Sequence, residues 1–208
     1  MNLPRFQYIT DCERLAETAC KAGVRWIQGR VKNKSKEETK DILKKIHENC
    51  KKHNCIFVVN DFLEIALEIG ADGVHLGKTD MSLLEAKELI ASRKFILGGT
   101  ANTQEDVIQL ARLKVDYIGL GPLRFTNTKE KLSPILGLDG YKSILKSSSH
   151  LDYPPVYAIG GIVPDDSNDL LNSGVYGLAV SGFLTYSSDM KKSFSEFETQ
   201  INSFCYAG

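Results

Sequence analysis

Short apolar runs alternate along this chain with longer stretches in which apolar residues recur every three or four positions. The short runs predict strands over residues 6–10, 26–30, 55–60, 73–76, 95–100, 117–120, 156–159 and 177–180. The longer stretches predict helices over residues 11–22, 36–53, 63–69, 82–92, 103–113, 140–146, 165–172 and 189–204. Strands that alternate regularly with helices are typical of a parallel sheet with helices packed against it.

The pattern predicts the α/β class and, within it, a single (β/α)8 TIM barrel. It contains eight strand–helix units in 208 residues, which is near the lower size limit of such barrels. An open, doubly wound sheet is the alternative, but it usually holds fewer strands. No low-complexity linker divides the chain, so we expect one catalytic domain over residues 1–208. The longest irregular stretch, residues 122–136, follows the sixth strand, and a loop of this length usually has a function.

Composition narrows the range of partners. The chain has 26 Lys and Arg against 26 Asp and Glu, so the net charge is zero. Without a basic excess, neither a nucleic acid nor an anionic membrane is expected as a partner. The first residues do not resemble a signal peptide, and no segment has the roughly 20 apolar residues that cross a bilayer. We therefore expect a cytoplasmic protein that acts on small molecules.

The cysteines are scattered and odd in number. The five residues are Cys12, Cys20, Cys50, Cys55 and Cys205. No pair has the C-x-x-C spacing of a zinc or redox site, so we expect reduced thiols in a reducing compartment.

The active site of a barrel lies at the carboxyl ends of its strands, so polar residues that follow apolar runs are the candidates. Gln28, Arg30 and Lys32 follow the second strand, and strand alternation places them on one face. An unpaired buried cation is costly, which favours an anion site, with phosphate as the anion. Alternatively, both cations extend to the rim or pair with Asp or Glu, and spacing does not decide between the two.

Carboxylates follow the next two strands. Asp61, after Asn60, and Asp80 lie at neighbouring strand ends and together could bind Mg²⁺ with phosphate oxygens. The alternative for each is a helix N-cap. His75 lies inside its apolar run, so we expect it in the core.

Further candidates follow the later strands. Thr100, after two glycines, could donate a hydrogen bond to a ligand or cap the next helix. Thr126, Thr128 and Lys129 suit phosphate oxygens, although a solvated charged loop is the alternative.

Glycine-rich ends of the seventh and eighth strands are the usual phosphate site of this fold, built from backbone N–H groups. Gly160 and Gly161 follow the seventh strand, and Ser181 and Gly182 follow the eighth. The chain thus has two candidate anion sites, which indicates an enzyme that joins two phosphorylated substrates. A Mg²⁺ held by carboxylates further suggests a diphosphate leaving group.

These motifs, in this order, resemble the thiamine phosphate synthase family over residues 6–184. The resemblance lies in Gln-x-Arg-x-Lys, Asn-Asp, Gly-Val-His-Leu-Gly with the later Asp80, Gly-Leu-Gly-Pro, Thr-x-Thr-Lys and Ile-Gly-Gly-Ile. It implies a transferase that joins 4-amino-2-methyl-5-(diphosphooxymethyl)pyrimidine to a thiazole phosphate and releases pyrophosphate.

The resemblance also implies a role for each site residue. Gln28 would face the aminopyrimidine. The residues that would hold its diphosphate are Arg30, Lys32, Asn60, Thr100 and Lys129, and among them Arg30, Lys32 and Lys129 would be catalytic. Asp61 and Asp80 would bind the Mg²⁺ cofactor. The thiazole phosphate would contact Thr126, Thr128, Gly161, Val180, Ser181 and Gly182, mainly through backbone in the last four.

The family mechanism is dissociative: the diphosphate leaves first, and the thiazole nitrogen captures the resulting cation. Such a reaction needs positioning and charge neutralisation instead of acid–base groups. A homodimer is a reasonable expectation for a soluble enzyme.

Four positions depart from the family pattern. Gly29 stands where Leu is usual, which could loosen the second strand. Phe62 and Lys78 stand where Arg and Gln are common, and Arg124 with Phe125 replaces an aromatic–Pro pair.

Three alternatives share the barrel. A thiazole tautomerase is associated with a His in a Ser-x-His pattern, where this chain has Asn102. A non-catalytic binder of phosphate ligands would be favoured if the charged residues faced away from the mouth. A phosphate-binding isomerase needs a positioned general acid and base, which the sequence does not offer.

Overall fold

A computed structural model describes residues 2–125, 134–148 and 152–206 of the chain, with side chains described as far as residue 204. Eight parallel strands pair in sequence order and close into a barrel, with the last strand next to the first. The strands are β1 (Phe6–Thr10), β2 (Trp26–Gly29), β3 (Ile56–Asn60), β4 (Gly73–Leu76), β5 (Ile96–Ala101), β6 (Tyr117–Leu120), β7 (Val156–Ile159) and β8 (Gly177–Val180). The predicted (β/α)8 TIM barrel is confirmed.

Helices follow the strands and cover the outside of the barrel. They are α1 (Glu13–Ala22), α2 (Lys36–Lys52), α3 (Leu63–Ile69), α4 (Leu83–Ile90), α5 (Gln104–Arg112), α6 (Gly137–Ser148), α7 (Ser167–Asn172), α8 (Gly182–Thr185) and α9 (Met190–Tyr206). The one-turn helix α8 was not predicted, because four residues are too few to show helical periodicity. Within the described ranges, no helix combines the length and the apolar character required to cross a bilayer.

The second strand is one residue shorter than predicted. It ends at Gly29 and not at residue 30, although the N–H of Arg30 still donates to the carbonyl of Thr10, 2.9 Å away. This last bond keeps Arg30 next to β1 at the barrel mouth, where the chain turns toward α2.

Two apolar layers fill the molecule. The larger one lies between the barrel and its helices, and the smaller one lies inside the barrel. Trp26 is fully buried in the inner layer, with its ring 4.8 Å from that of Tyr117 and 5.0 Å from that of Tyr157, both edge-on. Because these rings fill the barrel near the start of its strands, a ligand can enter only at the opposite end, where the strands finish.

Candidate active site

The inward positions of the strands lead to the barrel mouth. Trp26 and Val58 belong to the inner apolar layer. Since side chains alternate along a strand, residues two and four positions later also face inward. This rule places Gln28, Arg30 and Asn60 on the inner face of the barrel. Strand alternation predicted a shared face for Gln28, Arg30 and Lys32, but β2 ends at Gly29, so the rule does not extend to Lys32.

Gln28 lies below the mouth and is only 3% exposed. Its amide donates to the side-chain oxygen of Gln7 on β1, 3.2 Å away. Arg30 is half-buried above it, and its guanidinium forms no hydrogen bond or ion pair with any residue that the structure describes. An unpaired and partly buried guanidinium is suited to bind an anion.

Asp61 and Asp80 lie together at the mouth, at the ends of the neighbouring strands β3 and β4. Burial, and then the adjacent carboxylate of Asp61, raises the pKa of Asp80 above its ordinary value. Asp80 also accepts a hydrogen bond of 2.7 Å from the N–H of Gly77. The convergence that the sequence analysis expected is therefore present.

Neither carboxylate caps a helix. Helix α4 begins after Ser82, whose side chain accepts the capping hydrogen bond from Glu85, and α3 begins after Phe62 without a side-chain cap. Asp61 forms an ion pair with the ammonium of Lys32 instead. Asp61 also has a φ of 70°, an unfavourable conformation for most residues that occurs often at functional sites.

Asn60 and Thr100 complete this side of the mouth. Asn60 is 8% exposed on β3, and Thr100 is half-buried on β5. The hydroxyl of Thr100 lies 2.9 Å from Nε2 of His75. The other ring nitrogen, Nδ1, lies 3.0 Å from the hydroxyl of Tyr117. His75 is thus buried as predicted, but it supports Thr100 from below through a polar contact.

This polar layer under the mouth was not predicted from the sequence. It runs from Gln7 through Gln28 and Tyr117 to His75, and the Nε2 donor of Gln7 is buried without a partner in the described structure. The available signal was a polar residue within the apolar first strand. A second signal was Gly98, where a Cβ would lie 2.3 Å from the ring of Tyr117 and 2.7 Å from that of His75.

The opposite side of the mouth is made of backbone. Gly160 and Gly161 have φ values of 104° and 68°, which glycine adopts more readily than other residues. After β8, the chain enters α8 at Gly182, so the first N–H groups of this short helix face the mouth. Strand ends of this kind, with a short extra helix, form the usual phosphate site of TIM barrels.

Val180 and Ser181, at the end of β8 and directly after it, have different contacts. The side chain of Val180 packs in the outer apolar layer, so only its backbone is available to a ligand. The hydroxyl of Ser181 donates to the carbonyl of Ile9, 2.9 Å away, and so ties β8 to β1. The backbone role that the resemblance implied for this segment is compatible with both contacts.

Arg124, one of the departures from the family pattern, holds the glycine turn. Its guanidinium forms two bonds with the carboxylate of Asp166, of 2.6 and 2.7 Å, and a third of 2.5 Å with the carbonyl of Gly161. Burial by itself would raise the pKa of Asp166, but Arg124 and the N–H of Val163 outweigh it and lower that pKa. Arg124 therefore connects the loop after β6 to the turn after β7.

The other departures have local explanations. Lys78 pairs with Asp106, which caps α5 together with Thr103. Beside Gly29, a Cβ would lie 2.5 Å from Leu43 and 2.8 Å from Phe57. These two side chains fill the space of the missing one, so β2 is tightly packed at this point and is not loosened. Phe62 is 38% exposed, and nothing in the structure explains its presence.

Three predicted ligands, Thr126, Thr128 and Lys129, lie outside the described residues. The remaining ones meet at the mouth in two groups. Side chains of both charges end β2, β3 and β4, while glycine-rich backbone ends β7 and β8. A barrel with this mouth belongs to the class of TIM-barrel enzymes that act on small anionic molecules.

Comparison with known proteins narrows this class. The family model described as thiamine monophosphate synthase matches residues 6–184. The thiamine-phosphate synthase of Flavobacterium johnsoniae is 47% identical over 184 residues, covering 88% of this chain and 86% of the relative. That of Bacteroides thetaiotaomicron is 44% identical over 186 residues, with coverages of 89% and 87%. A solved thiamine phosphate pyrophosphorylase from Pyrococcus furiosus matches with a TM-score of 0.83 and 29% identity, covering 96% of each chain. The chain therefore belongs to the thiamine monophosphate synthase family and is a transferase.

Proposed function

We propose that this enzyme joins 4-amino-2-methyl-5-(diphosphooxymethyl)pyrimidine to a thiazole phosphate, with release of pyrophosphate. The observation that carries the proposal is the division of the mouth into two sides. Arg30, Lys32 and the two carboxylates suit a diphosphate with its metal ion, and the glycine turns at β7 and β8 suit a monophosphate. The names of its relatives support the same reaction.

The residues at β3 and β4 fit a magnesium ion. Asp61 and Asp80 offer adjacent carboxylate oxygens, the ligands that Mg²⁺ prefers, and their mutual repulsion would be relieved by a divalent cation. These two residues would hold Mg²⁺, which, when bound, neutralises charge on the departing diphosphate.

In this proposal the protein positions the reactants and stabilises charge. The bond between the methylene carbon and the diphosphate oxygen breaks first, and its electron pair leaves with the diphosphate. The lone pair of the thiazole nitrogen then forms the new carbon–nitrogen bond. Arg30 and Lys32, together with Asn60, Thr100 and Lys129, would stabilise the charge that develops on the leaving group. No proton is transferred, so the reaction needs no general acid or base.

The interior of the barrel would receive the pyrimidine. Gln28 is held by Gln7 at a fixed position under the mouth, and its amide offers hydrogen-bonding groups to an aminopyrimidine edge. The tautomerase alternative is not favoured. At the position associated with its His, the amide of Asn102 donates to the carbonyl of Gly121, 2.5 Å away, and an amide does not act as a general base.

Pyrophosphate release tests the proposal. The purified enzyme is assayed with both substrates and Mg²⁺, beside the variants Asp61→Asn and Arg30→Gln. We expect release to require both substrates and the metal, and to fall by about 100-fold or more in each variant. Lys34→Gln is the matched control, because Lys34 is an exposed neighbour that pairs only with Glu38 in the described structure, and it should retain full activity. Folded protein that binds thiazole phosphate without releasing pyrophosphate would refute the synthase.

A further inference from the structure

Three cysteine side chains meet in the outer layer of the barrel. The sulfur atoms of Cys20, Cys50 and Cys55 all lie within 4.8 Å of one another. All three residues are buried, with exposures of 2%, 0% and 6%. They come from three separate elements: the last turn of α1, the end of α2 and the residue before β3.

The cluster lies far from the proposed reaction. Strands of a barrel end at the mouth, and the helices run back, so helix ends and strand beginnings share the opposite face. Cys20 and Cys50 are near the ends of α1 and α2, and Cys55 directly precedes Ile56, the first residue of β3. The cluster is therefore independent of the proposed function.

The backbone fixes the positions of these side chains. The N–H of Cys55 donates to the carbonyl of Cys50, 2.9 Å away, so the loop after α2 folds back onto the helix. The chain also folds back at the end of helix α1. Gly23 adopts the left-handed conformation there, and its N–H donates to the backbone carbonyl of Cys20. The hydrogen bonds at the ends of α1 and α2 therefore hold Cys20 and Cys50 close to each other.

The separation of the sulfurs suits a thiophilic metal ion. Zinc binds thiolates at about 2.3 Å, which puts the ligand sulfurs of one site roughly 3.8 Å apart. Sulfurs already within 4.8 Å of one another need only a small adjustment to reach this spacing. Thiolates select soft ions such as Zn²⁺ over Mg²⁺, so this site and the carboxylate site would not compete for the same metal.

The surroundings also suit such a site. Three thiolates with Zn²⁺ carry one net negative charge, which would be costly to bury alone. The guanidinium of Arg25 donates to the carbonyls of Cys20 and Val24, at 3.3 and 3.2 Å, and places a positive charge beside the cluster.

We propose that Cys20, Cys50 and Cys55 bind one Zn²⁺ ion, which links α1 and α2 to the start of β3. The three thiolates supply three of the four ligands of a tetrahedral ion. The ion would act as a structural brace, because it cross-links three elements on the face opposite the active site. The alternative is that the three thiols pack only as small apolar side chains.

Metal analysis tests the proposal on the full chain. Reduced protein is stripped with a chelator, incubated with Zn²⁺, desalted and analysed for zinc. We expect one tightly bound ion per chain, and a Kd at least about 100-fold weaker in Cys50→Ser, since even outer-shell changes cost up to this much. The matched control is Cys12→Ser, because Cys12 lies outside the cluster. Equal zinc affinity in Cys50→Ser and wild type would overturn the proposal.

Cadmium provides a second measurement, and its result for the wild-type protein does not depend on the folding of any variant. Cd²⁺ bound to thiolates has a sulfur-to-metal charge-transfer band in the ultraviolet, whose intensity reports the number of sulfur ligands. We expect the intensity of three thiolates in the wild-type protein, and of two or fewer in Cys55→Ser. Zinc at 100 times its Kd should also raise the Tm by about 5–10 °C. No band in reduced wild-type protein, or a disulfide between two of these cysteines in protein purified from cells, would refute the site.

Discussion

The carboxylate of Asp80 lies beside that of Asp61, although the two residues follow different strands of the barrel. Burial and the repulsion between them raise the pKa of Asp80, while Lys32 pairs with Asp61. The two carboxylates therefore repel each other at the mouth, and a bound cation would relieve this repulsion.

We expect Asp80→Asn to be more stable than the wild type at neutral pH, and about 100-fold or more less active. The variant removes a partly buried charge and its repulsion with Asp61, but it also removes a proposed metal ligand. Thermal unfolding and pyrophosphate release measure the two effects. Asp41→Asn, on an exposed turn of α2, is the control and should change neither.

The same carboxylate predicts a dependence of stability on pH. Because its folded-state pKa is raised, the folded protein holds this proton more tightly than the unfolded chain. The wild type therefore gains stability relative to Asp80→Asn as the pH falls through that raised pKa. If the difference in free energy of unfolding between the two proteins were constant over this range, the raised pKa would be wrong.

Arg124 is expected to act on the phosphate side of the mouth by positioning Gly161. Arg124→Met removes three hydrogen bonds, and we expect the KM for thiazole phosphate to rise about tenfold, equivalent to about 1.4 kcal/mol. The KM for the pyrimidine substrate should change much less, since its proposed ligands, apart from Lys129, follow β2 to β5 and not the loop that carries Arg124. Steady-state kinetics with each substrate varied in turn measure this difference.

Titration of Asp166 gives an independent test of the same contact. The pKa of Asp166 is lowered in the folded protein, so its contribution to stability is present above the ordinary carboxyl pKa and is lost as the pH falls through the lower value. In Arg124→Met the pKa observed by NMR should move up toward the ordinary range. An unchanged pKa would show that the pair does not form in solution.

Asn102 is expected to stabilise the end of β5. Asn102→Ala leaves the carbonyl of Gly121 without this buried partner, at a cost of about 1–3 kcal/mol in the free energy of unfolding. Gln109→Ala, on the exposed side of α5, is the control and should stay within about 0.5 kcal/mol of the wild type. Denaturant titration measures both, and equal values for the two variants would contradict the prediction.

Gly29 is expected to tolerate no side chain in this protein. Gly29→Ala places a methyl group 2.5 Å from Leu43, which we expect to cost about 1–3 kcal/mol. The penalty should be smaller in a Leu43→Ala background, because the closest contact is then absent. A double-mutant cycle measures the coupling, and a penalty that is the same in both backgrounds would show that the clash is not with Leu43.

Much of the fold and half of the mouth could be predicted from the order of residues alone. Periodicity is a local property, so the apolar runs located all eight strands to within a residue or two. Closure of the barrel then brings the ends of adjacent strands together. For this reason Arg30, Asp61 and Asp80 could be grouped from the sequence alone.

Contacts between distant segments could only be decided by the tertiary structure. One example is the ion pair between Arg124 and Asp166, and another is the close packing of Leu43 against Gly29. In each case the two residues are far apart in the sequence, and no local pattern indicates that they meet. The cysteines show the same limit most clearly, since spacing rules that look for close pairs exclude Cys20, Cys50 and Cys55 from a metal site. The alternation of strands and helices depends on neighbours along the chain, so the sequence by itself determined it. The cysteine contacts depend on how the ends of α1 and α2 pack against the start of β3, so only the tertiary structure decided them.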